Sequence, residues 1–532
     1  MKKKIIFVAL SALLLVGCGQ GKSNTPTSII PPREIDNRFT LEDLGNDVIF
    51  HTELQQKYLD DENYENVPSQ AQGKTELSVP NPVHLSWEAE GGIDEFTVLI
   101  SEREDLKNAV EYDVLDENSL DIYNLKIGTT YYWTVRELDN DIMSETATFT
   151  IRDQAVRNLR IPGVTNSRDI GGIYTKNGGR LRQDLIFRTA NADNVTAEGK
   201  VVMHDELGVK TEIDLRDSGT RKSSPVGSDV NYQVFNMYYN DYSNYLERNC
   251  EAVKGAMQIF ADEDNYPIFY HCRIGTDRTG IITYLLLGLC GCYEEDIYRD
   301  YLFSNFGVIE DARSLHGSGV NNVQLYYEAI NAFPGNNLQE HIYNFLLGIG
   351  MSAEDLDEII RINVEGGKKE NVLQGQRALF IDTESMSRDS LVTYASNESP
   401  KNFVLNKAED LSITAEFNSD KEVDADIYVY LYSNNLSVKA DSAFSLSLNN
   451  DYLEVSNKSF NDLHCRSTAG IYVAAKFASA KLTAGNQTLI LTNIAGSNNS
   501  TALGGNIAGI VIFPTSGPAN FKVILPTSPT YK

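Results

Sequence analysis

The run His271-Cys-Arg-Ile-Gly-Thr-Asp-Arg-Thr-Gly280 constrains this chain more than any other feature. It follows Tyr266-Pro-Ile-Phe-Tyr270, an apolar stretch that reads as a strand. It leads into Arg278 to Leu289, apolar over most of its surface, which reads as a buried helix. A strand that passes into a helix through a tight loop points backbone N–H groups inward, and the helix N-terminus adds positive potential. Such a field lowers a thiol's pKa, and the thiolate is the reactive form. Five residues separate Cys272 from Arg278. A loop of that length wraps one tetrahedral phosphate, with sulfur beneath it and the guanidinium beside it. Arg278 is then expected to grip two equatorial oxygens and to tighten as charge redistributes.

The run resembles the signature loop of cysteine-dependent tyrosine and dual-specificity phosphatases, HCxxGxxR followed by Ser or Thr and Gly. With aspartate before the arginine it is similar to the bacterial branch that includes secreted tyrosine/lipid phosphatases of intracellular pathogens. Asn166-Ser-Arg-Asp-Ile-Gly-Gly172 resembles that branch's NxRDxGG motif, Leu185-Ile-Phe-Arg-Thr189 its arginine-bearing segment, and Val209-Lys-Thr-Glu-Ile-Asp-Leu-Arg216 its DLR strand. The resemblance spans about Leu159 to Val364. It implies that Cys272 forms a phosphocysteine and Arg278 binds the phosphate. Thr279 would hydrogen-bond the sulfur and assist hydrolysis, and His271 would brace the loop. Arg273, Ile274, Gly275, Thr276 and Gly280 would line the substrate. Asp277 is the expected general acid, with a structural partnership to Arg168 or another arginine as its plainer reading, and Asp214 is the alternative acid. Arg168 and Asp169 read as a scaffold ion pair. A rhodanese-type sulfurtransferase also uses a cysteine loop before a helix, but the spacing to Arg278 and the Thr-Gly that follows fit phosphatases better.

Relatives active on phosphoinositides often carry a lysine where Thr276 stands, so a polyphosphoinositide preference is weakened; Arg273 supplies a cation elsewhere. Arg221 and Lys222, on a Ser/Gly/Pro segment, read as a solvated loop, with reach to a substrate as the alternative. No CxxC or HExxH spacing occurs, so neither metal nor cofactor is expected. The formal charge of -28, from 74 acidic against 46 basic residues, argues against a general nucleic-acid binder. Positive potential for a phosphate ester must therefore be built locally.

The start of the chain reads as an export signal. Lys2, Lys3 and Lys4 precede the apolar Ile5 to Val16, too short to span a bilayer. Leu15-Val16-Gly17-Cys18 resembles the lipobox of bacterial lipoproteins, which implies diacylation of Cys18, a membrane contact through lipid alone and a place in the cell envelope. Six cysteines are too few for a disulfide scaffold, and Cys290 and Cys292 read as core or cap residues.

At 532 residues the chain calls for about three domains. The expected fold is an α/β domain with a mostly parallel sheet flanked by helices (155–367), between two all-β sandwiches. Residues 1–18 form the signal and 19–74 a tether and unassigned segment. Over 75–152, Val83 to Trp87, Phe96 to Ile100 and Tyr131 to Val135 alternate as strands do, and with Trp87 and Trp133 they resemble a fibronectin type III or immunoglobulin-like sandwich. Residues 370–532 alternate likewise, and Ala469 to Ala475, Leu482 to Leu491 and Asn506 to Ile512 resemble strands of jelly-roll carbohydrate-binding modules. The implied partners are a phosphorylated protein or a phosphorylated inositol, and a glycan for the C-terminal module. Three functions stand: a protein phosphatase; an inositol-phosphate or phosphoinositide phosphatase; and a surface-binding lipoprotein whose phosphatase domain is vestigial.

Overall fold

The computed structural model describes residues 37–138, 142–216, 221–238, 249–316, 330–366, 377–396, 400–405, 410–465, 472–495 and 505–526. The export signal with Cys18 lies outside them. Among the described residues, no helix is long and apolar enough to cross a membrane.

A six-stranded sheet forms the middle of the molecule. Its order is Asn231–Val234, Thr211–Asp214, Ile268–His271, Ile186–Thr189, Arg168–Asp169 and Arg157–Asn158. The first four strands run parallel; Arg168–Asp169 pairs antiparallel with Ile186–Thr189, and the edge strand Arg157–Asn158 antiparallel with Arg168–Asp169. All four residues of Ile268–His271 are buried, as in a parallel strand covered on both faces. The strand lies between Thr211–Asp214 and Ile186–Thr189, so the loop at its carboxyl end is flanked by two other strand ends. That is where an open α/β sheet places ligands.

The helix Asp277–Leu289 leaves the same loop, and all 13 of its residues are buried. Being apolar all round, it needs cover on every side. The strand Ile268–His271, helix Glu294–Phe303 and helix Leu338–Gly348 supply part of that cover. Gly280 lets Glu294–Phe303 approach, since a Cβ there would lie 3.2 Å from the Tyr301 ring. Helix Ala353–Asn363 begins at Ser352, whose hydroxyl accepts from the Asp355 amide at 3.0 Å, the N-cap its sequence calls for.

Seven strands before this domain form a three-stranded and a four-stranded sheet over a shared core that includes Trp87, Phe96 and Trp133. One of them, Phe39–Leu41, comes from the segment the sequence left unassigned and pairs with Trp87 to Ala89. The same segment holds a short helix, Glu53–Leu59, closed by a capping box between Thr52 and Gln55. After the α/β domain, twelve strands form two six-stranded sheets around a separate apolar core. Part of one face of the second of these β-regions packs on the α/β domain. Tyr430, Tyr432 and Tyr472 are buried into the α/β core, with the Tyr430 ring 5.7 Å from that of Phe333.

Candidate active site

Cys272 lies at the foot of the loop, 2% exposed. The loop's shape follows from what holds its carbonyls. Asn191 donates to the Arg273 carbonyl at 2.6 Å, Asn166 to those of Ile274 and Gly275 at 3.0 and 3.1 Å, and Arg188 to that of Gly275 at 2.8 Å. With three successive carbonyls drawn outward, the amides turn to the other side. Among the described residues, the amides of Ile274, Gly275 and Thr276 reach no backbone acceptor. Inward amides without backbone partners make an anion cradle. Gly275 has φ +72°, and a Cβ there would lie 2.4 Å from the Thr189 carbonyl oxygen, so only glycine lets the loop sit against that strand end.

Burial opposes ionisation of the Cys272 thiol, but the Arg278 charge and the Thr279 hydroxyl and amide outweigh it, and the pKa falls below the ordinary thiol value. The Thr279 hydroxyl is buried, with no oxygen or nitrogen partner among the described residues. Arg278 is 8% exposed and donates to the Leu215 carbonyl at 3.3 Å, which ties it to the neighbouring strand end. By contrast, burial alone pushes the Cys290 thiol up to about 12, and Cys292 is raised further from reactivity.

His271 is fully buried, with Nδ1 2.9 Å from the Cys272 carbonyl and Nε2 2.8 Å from the Glu212 carboxylate. The ring thereby links the foot of the loop to the neighbouring strand Thr211–Asp214. Glu212, Asp214 and His271 bring three donor atoms within 4.8 Å of one another, and the guanidinium groups of Arg216 and Arg221 meet the carboxylates. The cluster is thereby a network of ion pairs beneath the loop. Arg221 is consequently no solvated loop residue: its side chain is 14% exposed and pairs with Glu212 and Asp193.

Several expectations need correction. Arg168 and Asp169 do not pair with each other. Arg168 is buried against Asp300, at 2.7 Å, while Asp169 pairs with Arg157 at 2.6 Å, because adjacent strand residues point to opposite faces. Asp214 does not fit an acid's role. Although burial favours its protonated form, the Arg216 guanidinium, the nearby His271 and the Arg216 amide hold its carboxyl well below the usual carboxylate range. Tyr232 also donates to it, at 2.8 Å. Gly280 does not line the cradle, since its amide donates to the Thr276 carbonyl at 2.7 Å within the helix. The Thr276 hydroxyl is turned away from the cradle, 3.4 Å from the same Asn166 side-chain nitrogen that holds the loop carbonyls. Of the two partnerships left open for Asp277, Arg168 or another arginine, the structure shows the second: Asp277 is fully buried and paired with Arg313, a residue in no recognisable pattern.

Asn166 and Arg188 lay within motifs already singled out, but their hold on the loop carbonyls was not foreseen. Asp300, which meets both Arg168 and Arg188, sits on a helix with no distinguishing spacing.

Residues 159–361 match the family model described as the tyrosine phosphatase family. A Cupriavidus necator protein whose name places it among tyrosine-protein phosphatases is 26% identical over 179 residues, 29% of this chain and 64% of the relative. A tyrosine-protein phosphatase of Nostoc commune is 28% identical over 163 residues, 26% of this chain and 55% of the relative. The chain thus spans between about half and two thirds of the length of these relatives. Among solved structures, P. aeruginosa TpbA in complex with pTyr is 17% identical, with 27% of this chain and 85% of that chain covered and a TM-score of 0.19. A family 35 carbohydrate-binding module from Clostridium thermocellum is 12% identical, with 26% and 98% covered and a TM-score of 0.21. Scores of this size speak to neither ligand nor activity. The matched segment contains the whole loop and every residue named here that holds it.

Proposed function

We propose that this chain is a cysteine-dependent phosphoric monoester hydrolase of the protein-tyrosine-phosphatase type, acting on phosphotyrosine and, as a dual-specificity enzyme, on phosphoserine and phosphothreonine. One observation carries the reading. A buried thiol with a lowered pKa lies under a loop with three successive carbonyls drawn outward, and with Arg278 beside it.

In this reading the Cys272 thiolate attacks phosphorus, and an S–P bond forms as the P–O bond to the leaving group breaks. Arg278 and the loop amides hold the equatorial oxygens as negative charge shifts onto them. Asp277 gives its proton to the leaving oxygen, then takes one from the water that hydrolyses the phosphocysteine. The Thr279 hydroxyl stabilises the departing thiolate. Asp277 is preferred over Asp214 because it lies in the loop itself, directly before Arg278, whereas Asp214 is a strand residue held by Arg216 and Tyr232.

The finer reading places the enzyme on the cell envelope as a lipoprotein anchored through Cys18, on the strength of the lipobox-like Leu15-Val16-Gly17-Cys18. The first β-region would be a fibronectin-III-like spacer. The last would be a jelly-roll module that docks the enzyme to a glycan.

The test is phosphate release by a protein lacking residues 1–18, without added metal, beside a Cys272→Ser control. Turnover of a phosphotyrosine peptide that vanishes in the control supports the reading. Turnover of inositol hexakisphosphate or a phosphoinositide, but not of phosphopeptides, would replace it with the inositide alternative. A folded protein inert on every substrate would sink it.

A further inference from the structure

Arg273 directly follows the nucleophile, and its carbonyl is pinned by Asn191, yet its side chain is half exposed and leads out of the cradle. There it meets Glu310, whose two carboxylate oxygens take both terminal nitrogens of the guanidinium, one at 2.6 Å. Because the cation at the mouth of the cradle is already matched by an anion, it adds no net charge there.

Glu310 is held in place at a conformational cost. Its φ of +75° lies in the left-handed region, which non-glycine residues avoid. The turn is fixed from several sides. The Val308 amide donates to the Thr165 hydroxyl at 2.9 Å, the Ile309 amide to the Gly73 carbonyl at 2.9 Å, and Lys74 holds Asp311 at 2.6 Å. Gly73 comes so close that a Cβ would lie 2.6 Å from the Ile309 side chain. A strained residue whose surroundings over-determine it, at the rim of a reactive loop, points to a function. Gly73 and Lys74 lie outside the segment that matches the phosphatase family, so the chain's N-terminal part helps to build this rim.

We propose that Glu310 is a specificity-determining residue: by occupying Arg273 it reserves the site for isolated phosphomonoesters and turns away substrates with a second anionic group beside the scissile phosphate. The inference rests on the phosphatase reading. An exposed ion pair contributes little to stability, so the effect falls on the substrate. A second anion arriving beside Arg273 meets Glu310's like charge; without Glu310 that repulsion is gone, a difference on the order of tenfold in affinity near a protein surface.

The test is calorimetric titration of phenyl phosphate and of inositol hexakisphosphate into the full chain carrying Cys272→Ser, with and without Glu310→Gln. Glu310→Gln is expected to tighten inositol hexakisphosphate about tenfold relative to phenyl phosphate, and adding Arg273→Gln should remove that gain. An unchanged ratio, a gain that survives Arg273→Gln, or no binding of either probe overturns the proposal. Since binding is read with the nucleophile removed, a lack of turnover in the Cys272 protein would count against the phosphatase reading without altering this ratio.

Discussion

The guanidinium of Arg313 meets both carboxylate oxygens of Asp277, Nε to Oδ1 at 2.9 Å and Nη2 to Oδ2 at 3.0 Å. Both side chains are buried, so the first residue of the core helix is tied to a connecting segment far along the chain. The pair fixes where the Asp277 carboxyl sits, directly beside Arg278 at the start of the helix.

If Asp277 protonates the leaving oxygen, its loss is felt most where the leaving group is poor. Asp277→Asn is expected to lower kcat/KM about a hundredfold on a phosphotyrosine peptide and only a few-fold on p-nitrophenyl phosphate, whose leaving group needs no proton. Equal losses on both substrates would assign Asp277 a purely structural partnership with Arg313.

Reactivity of Cys272 should depend on pH in a direction set by Arg278. Its thiol already titrates below the ordinary value, against the effect of burial, with the Arg278 charge as the largest favourable cause. Removing that charge raises the pKa, so Arg278→Met should move the inflection of iodoacetamide alkylation to higher pH. Thr279→Val should move it the same way by less. An inflection that stays put in both variants would mean that neither group stabilises the thiolate.

Asp300 is the buried anion between two buried cations. It accepts from Arg168 at 2.7 Å and pairs with Arg188, which in turn holds the Gly275 carbonyl. Asp300→Asn leaves Arg168 and Arg188 with no countercharge from it, and loss of one partner from a buried ion pair costs about 3–5 kcal/mol. Chemical unfolding should show that loss, and kcat should fall because Arg188 no longer sets the loop. Unchanged stability would refute the view of this triad as the loop's anchor.

His51 is buried, with Nε2 2.8 Å from the Val156 carbonyl, and burial lowers its pKa from 6.5 to about 4. The unfolded chain therefore binds a proton between those values that the folded one refuses. Stability from this site is fully present above pH 6.5 and is lost as pH falls towards 4, about 3 kcal/mol in all. Wild type should lose about 2–3 kcal/mol more than His51→Gln when urea unfolding is moved from pH 7 to pH 4.5. Parallel losses in the two proteins would place the acid sensitivity elsewhere.

The chemistry at the centre of this molecule was legible in the residue order because it is local. Cys272, Gly275 and Arg278 occupy one loop, and a loop between a buried strand and an apolar helix has few ways to fold. Strand and helix periodicity likewise announced Ile268–His271, Asp277–Leu289 and the β-regions on either side, since each element buries a patterned face. The partners of that loop were another matter. Arg313 and Glu310 come from a connection with no periodicity, Asp300 from an ordinary helix, and Gly73 and Lys74 from a segment that carried no motif at all. Ion pairing is a relation across space between groups that any exposed loop could also carry, so nothing in the local pattern marks which acid meets which base. The neighbouring residues Arg168 and Asp169 show the limit plainly, because the alternation of a strand sent them to opposite faces and to different partners. Residue order alone picked out the cysteine, the arginine and the loop that joins them; only the tertiary structure decided what holds that loop, through burial and through charges brought together from distant parts of the chain.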